Sequence, residues 1–209
     1  MEKIKVMVVD DQLSGRRLFE LYLKDSPKYE IVHLVESAAY ADVYVLKDRI
    51  DLVLMDILMH DGSNGLDAAA RIMKNCPEIK IIAVTSMPEA SWLKRAREIG
   101  IESFWYKEVE MDTILEVMDR TMAGESVYPD RPPEVKIGPL SNTKFSEREL
   151  EVLRELVTGI SNSAIAEKLC ITEHTVKEHI RHMMANTGCR SRTELAIEAR
   201  VSGIAVNLK

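Results

Sequence analysis

Acidic, hydroxyl and lysine side chains follow the ends of several short apolar runs in the first half of the chain. The run IKVMVV ends in two adjacent carboxylates, Asp10 and Asp11, and a later apolar run ends in Asp56. Thr85 and Lys107 stand at the ends of two further runs. Carboxylates that are crowded together repel one another unless a cation lies among them, and clusters of oxygen ligands suit Mg²⁺. If the runs are neighbouring strands, these residues predict a magnesium site.

The apolar runs have the character of strands in one parallel sheet. We predict strands at residues 4–9, 30–35, 51–55, 80–85 and 103–106. Segments with the apolar period of helices separate them, and this alternation indicates a parallel sheet that is covered on both faces. In such sheets the functional site lies at the carboxyl ends of the strands. The predicted fold of this half is therefore α/β, with a doubly wound, parallel, five-stranded sheet of the flavodoxin-like kind.

Composition divides the chain into two domains. Residues 124–142 contain four prolines and no periodic apolar pattern, which predicts an extended linker. This linker separates a domain at residues 1–123 from a domain at residues 143–209. The first domain holds 16 Lys or Arg against 22 Asp or Glu, whereas residues 145–209 hold nine of each. The acidic balance suits an N-terminal domain that binds cations.

Membrane-spanning and disulfide-rich classes are disfavoured by the sequence. No apolar stretch reaches the roughly eighteen residues that are needed to cross a bilayer, and the chain opens without a signal-peptide pattern. We therefore expect a cytoplasmic protein that does not act in a membrane. Cys76, Cys170 and Cys189 lack the paired spacing of a zinc site or a disulfide framework, so we expect each to be a small buried hydrophobe.

The acidic residues and the lysine resemble those of the receiver domain of two-component response regulators, over residues 4 to about 122. The resemblance implies that Asp56 is the nucleophile that takes a phosphoryl group from a phosphohistidine on a sensor histidine kinase. It also implies that Asp10, Asp11, Asp56 and the carbonyl of Leu58 hold Mg²⁺. Such a protein assists only its own phosphorylation and dephosphorylation, so we do not expect an enzyme.

The same resemblance assigns a conformational switch. Lys107 would pair with the phosphoryl oxygens, Thr85 would hydrogen-bond to them, and Phe104 would fill the space that Thr85 vacates. An ordinary core role for Phe104 is the alternative, because aromatic strand residues are usually buried. The chain departs from the family pattern at His60, where proline is usual, and at Gly65, which comes one residue late. We expect His60 to be an exposed loop residue, and Gly65 to permit a tight turn into the next helix.

Two other interpretations of the acidic residues remain. A single aspartate after a strand is also common as a helix cap or turn former, although capping does not explain the joint pattern at several strand ends. A phosphohydrolase also uses an aspartate after its first strand. Those enzymes typically need another Asp two positions later, where this chain has Gln12.

The second domain begins with a helix-start signal and continues with a helix-turn-helix pattern. Ser146 and Glu149 form a capping box, and Thr172 caps a long helix that follows a short one. At about 100° per residue, the long helix gathers one apolar stripe: Val176, Ile180, Met183 and Thr187. Another side gathers mainly polar residues: His174, Lys177, Glu178, Arg181 and Ala185. A polar side with basic residues suits a helix that lies in the major groove of DNA.

The segments SEREL, LVTGISNSAIAEKL, TEHTVKEHI and SRTEL resemble the LuxR-type helix-turn-helix of the NarL/FixJ response regulators, over about residues 143 to 205. The resemblance implies an all-α, four-helix domain that binds double-stranded DNA. The implied base-reading residues are Lys177, Glu178 and Arg181. The residues implied to lie near the phosphate backbone are Asn162, Ser163, His174 and Thr175. The last helix, about residues 192–203, would pair two subunits on a roughly palindromic site.

The two resemblances together predict a transcription regulator that is controlled by phosphorylation of Asp56. The phosphorylated receiver would shift its conformation and enable DNA binding as a homodimer. The unphosphorylated receiver would either mask the recognition helix or fail to dimerise. The alternative is a receiver whose output is protein contact, and salt-dependent binding to duplex DNA separates the two.

Overall fold

The computed structural model describes residues 2–107 and 113–205 and divides into two compact units. The first unit is built mainly from residues 2–86 and 91–131, and the second mainly from residues 132–205. Within the described part of the chain, no helix is both long enough and apolar enough to cross a bilayer.

A five-stranded parallel sheet forms the centre of the first unit. Its strands are Ile4–Val9 (β1), Tyr29–Val35 (β2), Leu52–Asp56 (β3), Lys80–Thr85 (β4) and Ser103–Tyr106 (β5). The spatial order is β2-β1-β3-β4-β5, and each neighbouring pair is parallel. Every residue of β3 and β5 is buried, which is why these strands are continuous in apolar character. The prediction of a doubly wound α/β sheet is confirmed.

Helices cover the sheet of the first unit. They are Leu13–Leu23 (α1), Ala41–Lys47 (α2), Gly65–Asn75 (α3), Ala90–Ile99 (α4) and Ile114–Met122 (α5). Alternate strand residues such as Val6 and Leu54 pack in one core with Phe19 of α1 and Met118 of α5. Met7, between two of those positions in β1, is equally buried and faces the other side. Helices are therefore needed on both faces of the sheet.

The chain after α5 returns along the outer edge of β5 through residues 126–128, here called the strap. The amide of Phe104 donates to the carbonyl of Val127 at 2.8 Å, and the amide of Val127 donates to Ser103 Oγ at 3.0 Å. Val127 is itself part of the apolar core. The strap thus belongs to the first unit and satisfies an amide of an edge strand, although it falls within the segment that we predicted to be a linker.

A small hairpin opens the second unit and also falls within the predicted linker. Lys136–Ile137 (β6) and Leu140–Ser141 (β7) pair antiparallel, and Gly138 lies between them with φ +55°. The side-chain amide of Asn142 donates to the carbonyl of Pro133 at 2.9 Å. Part of the segment that we predicted to be an extended linker is therefore a hairpin, stabilised by the turn at Gly138 and by the side chain of Asn142.

Four helices make up the rest of the described second unit. They are Glu147–Leu156 (α6), Asn162–Lys168 (α7), Glu173–Thr187 (α8) and Arg192–Val201 (α9). Ser146 and Glu149 form both halves of the predicted capping box, and Thr172 Oγ accepts from the amide of Thr175. All residues of the predicted stripe of α8 are buried. The prediction of an all-α helix-turn-helix domain is confirmed, and its last predicted residues, 206–209, lie outside the described residues.

The prediction that all three cysteines are buried is confirmed only for Cys76. Cys76 is buried as expected, but Cys170 is exposed and Cys189 is half-buried. Cys170 lies in the turn between α7 and α8 with φ +53°, in the left-handed region. The geometry of this turn, rather than apolar packing, determines the environment of Cys170.

Candidate functional site

Three carboxylates meet at the carboxyl edge of the parallel sheet. Asp10, Asp11 and Asp56 each offer one oxygen, and these oxygens lie within 4.8 Å of one another. They meet because Asp10 and Asp11 follow β1 while Asp56 ends β3, and these two strands are neighbours in the sheet. Asp10 and Asp56 are buried. A compact acidic cluster therefore lies in a place where charge is poorly solvated.

Lys107 neutralises two of these carboxylates. Its Nζ lies 2.7 Å from Asp10 Oδ2 and 2.8 Å from Asp56 Oδ2. The backbone amide of Lys107 donates to the carbonyl of Thr85 at 2.9 Å, which fixes the lysine just beyond β5. Burial alone would lower the pKa of Lys107, but the attraction of Asp56 and Asp10 outweighs burial and raises it. The lysine therefore stays charged.

Asp56 is destabilised as an anion despite this lysine. Burial raises the pKa of Asp56 to about 6, and Lys107 only partly opposes the rise. Three carboxylates against one ammonium leave surplus negative charge, which a divalent cation would compensate.

One oxygen of Asp11 lies in a position where, within the described part of the chain, it lacks a partner that a cation would supply. Oδ1 of Asp11 is buried and has no hydrogen-bond partner among the described residues. Oδ2 accepts from the amide of His60 at 2.5 Å and also contacts His60 Nδ1. A buried carboxylate oxygen without a partner destabilises the fold, and a bound cation would remove that cost. Mg²⁺ prefers oxygen ligands, so the residues present fit this ion. His60 is exposed, as predicted, but the sequence did not indicate its contact with Asp11.

The loop after β3 depends on Gly65 for a reason other than the one predicted. A Cβ at Gly65 would lie 1.9 Å from the carbonyl oxygen of Asp56, so glycine lets α3 approach the strand end. The left-handed residue of this loop is Gly62, with φ +81°. Leu58 and Asn64 pair across the loop in an antiparallel bridge. The loop that carries the predicted Leu58 ligand is thus closed by backbone pairing.

Two residues that position Asp10 were missed by sequence reasoning. A Cβ at Gly15 would lie 2.0 Å from Asp10 Oδ2, so only glycine leaves room for this carboxylate. The guanidinium of Arg16 donates to the carbonyl of Asp10 at 2.7 Å and pairs with Glu36 at 2.6 Å. The sequence feature that could have indicated them is the pair Gly15-Arg16, which follows the acidic pair by about one helical turn.

The predicted switch residues are both buried. Thr85 ends β4 next to β3, and Phe104 lies in β5. The ring of Phe104 is 5.0 Å from that of Tyr106 and 6.1 Å from that of Tyr128, measured between centroids. This burial is compatible with a switch role and with an ordinary core role.

The predicted base-reading residues lie on α8 away from its buried stripe. Lys177 pairs with Glu173 at 2.7 Å, and Arg181 pairs with Glu178. The side chains of Lys177 and Arg181 are 59% and 76% exposed. Exposed pairs of this kind contribute little to stability, so both cations can exchange their partners for phosphate or a base edge.

The N-terminus of α7 and the basic residues of α8 share an open pocket. The pocket has a volume of about 510 Å³, and Asn162, Lys177, Arg181 and Arg192 are among the residues that line it. Oδ1 of Asn162 is buried without a hydrogen-bond partner among the described residues. Arg192, which was not predicted, donates to the carbonyl of Ile160 at 2.8 Å. The remaining predicted backbone contacts lie at the starts of α7 and α8: Ser163, His174 and Thr175.

A parallel sheet with an acidic cluster and a buried lysine at its carboxyl edge, followed by a helix-turn-helix, defines a signalling receiver with a DNA-binding output domain. Residues 6–119 match the response regulator receiver domain, and residues 143–199 match the bacterial regulatory proteins of the LuxR family. The response regulator protein VraR of Staphylococcus aureus is 32% identical over 204 residues, which cover 94% of this chain and 96% of VraR. The chain therefore belongs to the two-component response regulators with a LuxR-type DNA-binding domain, which are transcription regulators.

Solved structures share the fold. RcsB from Salmonella enterica serovar Typhimurium, bound to promoter rprA with the phosphomimetic BeF3-, has a TM-score of 0.60 at 19% identity. That match covers 94% of this chain and 98% of the RcsB chain. The response regulator ChrA of a heme-sensing two-component system has a TM-score of 0.52 at 24% identity, with 96% and 98% of the two chains covered.

Proposed function

We propose that Asp56 accepts a phosphoryl group from a phosphohistidine of a sensor histidine kinase, and that this modification enables dimeric binding to double-stranded DNA. The observation that carries the proposal is the buried cluster of Asp10, Asp11 and Asp56, with Lys107 between two of its members. The protein would assist only its own phosphorylation and dephosphorylation.

In the proposed step, a carboxylate oxygen of Asp56 forms a bond to phosphorus. The phosphorus–nitrogen bond to the kinase imidazole breaks, and the imidazole leaves with that electron pair. Asp56 is mostly ionised above pH 6, since burial raises its pKa to about 6. Lys107, 2.8 Å from Asp56 Oδ2, would pair with the phosphoryl oxygens, and Thr85 would hydrogen-bond to them.

Mg²⁺ bound at this site would neutralise charge on the phosphoryl oxygens during transfer. Asp10, Asp11, Asp56 and the carbonyl of Leu58 would hold the ion. The buried, unpaired Oδ1 of Asp11 supports this assignment, because a cation would supply the interaction that the oxygen lacks. Phe104 would then fill the space that Thr85 leaves.

We further propose that α8 enters the major groove. Lys177, Glu178 and Arg181 would read base edges, because they lie opposite the buried stripe of the helix. The residues that would contact the phosphate backbone are Asn162, Ser163, His174 and Thr175. Two RcsB dimers bound to DNA have been described in a structure with a TM-score of 0.62 at 19% identity, which supports a homodimer on a roughly palindromic duplex here. Ile197 and Val201 are exposed apolar residues of α9 and suit the pairing of two subunits.

The proposed division of the chain is a receiver at residues 1–123, a linker at 124–142 and a DNA-binding domain at 143–209, except that the strap joins the receiver and the hairpin joins the DNA-binding domain. The proposed location is the cytoplasm, where both the kinase phosphohistidine and the DNA would be accessible. Because the strap belongs to the first unit, the part of the linker that can rearrange without disturbing the receiver begins after Tyr128.

The test is phosphorylation by acetyl phosphate with Mg²⁺, followed by intact mass and by binding to duplex DNA. Wild type is expected to gain the mass of one phosphoryl group and to bind DNA more tightly, and Asp56→Ala is expected to do neither. Asp61→Asn is the matched control, because Asp61 is an exposed carboxyl in the same loop. A stable adduct on Asp56→Ala would remove Asp56 from its role.

A further inference from the structure

Tyr128, the last residue of the strap, packs against the residue that is proposed to switch. Its ring centroid lies 6.1 Å from that of Phe104. Its hydroxyl donates to the carbonyl of Ile101 at 2.8 Å, just before β5. The guanidinium of Arg97, on α4, lies 4.6 Å from the centroid of the Tyr128 ring. These residues, Tyr128 with Phe104, Ile101 and Arg97, are called the clasp below.

The strap is also tied to the backbone of β5 next to Phe104. The amide of Phe104 itself donates to the carbonyl of Val127, and Val127 donates to Ser103 Oγ. Ser126 Oγ donates to the carbonyl of Glu102 at 2.7 Å. Each strap residue therefore contacts the start of β5 or the residues just before it. Both the side chain and the amide of Phe104 contact the strap, so a movement of Phe104 would change at least one of these contacts.

We propose that the clasp transmits the state of the phosphorylation site to the linker. When Phe104 moves toward the space that Thr85 leaves, Tyr128 loses its aromatic neighbour, and the strap loosens from the edge of β5. The free segment that leads to the DNA-binding domain then begins at an earlier point in the chain, before Ser126 instead of after Tyr128. This inference rests on the proposed function, since modification of Asp56 is what displaces Phe104.

The direction of the coupling follows from the structure. The clasp requires the ring of Phe104 to lie against that of Tyr128, so it stabilises the conformation in which Phe104 has not moved toward Thr85. Removing the Tyr128 ring should therefore favour the phosphorylated state, because coupling between two sites is reciprocal. The aromatic pair is the contact that the movement of Phe104 removes, and it corresponds to a change of about threefold to tenfold in that equilibrium.

The first measurement is amide hydrogen exchange of residues 124–131 in the full chain, with Mg²⁺ and with or without beryllofluoride. In wild type, beryllofluoride is expected to speed exchange at Val127 by about threefold to tenfold. Tyr128→Ala should exchange fast in both states. Tyr128→Phe keeps the ring but loses the hydrogen bond to Ile101, so it should retain the response to beryllofluoride.

The second measurement is the affinity for beryllofluoride, followed by tryptophan fluorescence. Tyr128→Ala is expected to bind about threefold to tenfold more tightly than wild type. Tyr40→Ala is the matched control, because Tyr40 is 65% exposed in the same unit, and its affinity should equal that of wild type. Melting curves of all variants test whether the receiver remains folded.

The outcomes separate this inference from the proposed function. If wild type takes up beryllofluoride but exchange in the strap is the same in both states, the clasp is overturned and the function stands. Equal affinities of wild type and Tyr128→Ala would also overturn it. If wild type takes up no beryllofluoride and exchange around Asp56 does not change, the proposed function fails, and the clasp fails with it.

Discussion

Replacing Asp56 by asparagine is expected to stabilise the first unit when Mg²⁺ is absent. Asp56 is 6% exposed, and burial raises its pKa to about 6, although Lys107 opposes the rise. At neutral pH the folded protein therefore holds a carboxylate where its charge is disfavoured. An amide has no charge to bury and can still accept a hydrogen bond from Lys107.

The magnitude and the sign follow from proton linkage. A rise in the pKa of Asp56 from 3.8 to about 6 corresponds to about 3 kcal/mol of stability lost at pH values above both. This loss is complete above the folded pKa, is small at the unfolded pKa, and disappears below it, because the carboxyl is then protonated in both states. Asp56→Asn should gain about 1–3 kcal/mol in free energy of unfolding near pH ~7.5 and about nothing near pH ~4.

Urea unfolding with tryptophan fluorescence measures this change in one unit alone. The chain has two tryptophans, Trp92 and Trp105, and both are buried in the first unit. Asp61→Asn is the control, because hydrogen bonds from Ser37 and Ser63 lower the pKa of Asp61, so its loss should not stabilise. Added Mg²⁺ should make wild type the more stable of the two proteins. A ligand at about 100 times its Kd stabilises the folded state by about 2.7 kcal/mol, and the asparagine variant gains less because it lacks one carboxylate ligand.

Two results would refute this reasoning. The first is an equal free energy of unfolding for wild type and Asp56→Asn near pH ~7.5 without Mg²⁺, which would mean that the buried charge carries no cost. The second is a gain that persists unchanged near pH ~4, which would mean that packing rather than charge distinguishes the two side chains.

Three further changes test other parts of the molecule. Arg181→Ala should weaken binding to a preferred duplex by about 1–3 kcal/mol and relax the sequence preference, measured by titration of preferred and unrelated duplexes at one salt concentration, whereas Lys168→Ala should do neither. Burial would raise the pKa of Glu149, but hydrogen bonds from Ser146 prevail and lower it, so its stabilisation is lost as pH falls below about 4.5. Glu149→Gln should lower the free energy of unfolding by about 1 kcal/mol at neutral pH. The stability of this variant should no longer fall between neutral pH and about pH 4, measured by amide exchange in α6. His60→Ala should weaken Mg²⁺ binding by about tenfold in calorimetry, and an unchanged affinity would contradict a supporting role for the ring.

The sheet and the meeting of its acidic residues could be predicted because both follow from local sequence. Buried parallel strands are continuous apolar runs, and the observed strands agree with the predicted ones to within one residue. Parallel strands share one carboxyl edge, so residues after β1 and β3 had to converge. The stripe of α8 followed from helical periodicity in the same way.

The features that escaped prediction depend on contacts between residues distant in sequence. The strap is held by Val127 against Ser103, and the turn of the hairpin needs glycine because a Cβ at Gly138 would lie 2.1 Å from the carbonyl oxygen of Thr187. The contact between His60 and Asp11 joins two loops in the same manner. Neither periodicity nor turn composition reports such contacts, so proline content alone suggested a linker where part of the chain is structured.

The same burial that destabilises Asp56 as an anion makes its neighbours effective. In an exposed site, water and salt would screen the attraction between Lys107 and an incoming phosphoryl group, and Asp56 would keep its ordinary pKa. In the buried site the pKa of Asp56 rises to about 6, but the interaction of Lys107 with any oxygen placed 2.8 Å away is strong. Because the pKa stays below neutral, the nucleophile remains ionised while its surroundings favour added positive charge. The low polarity around Asp56 therefore has two opposite effects. It lowers the stability of the unmodified receiver, and it strengthens the interactions that favour phosphoryl transfer.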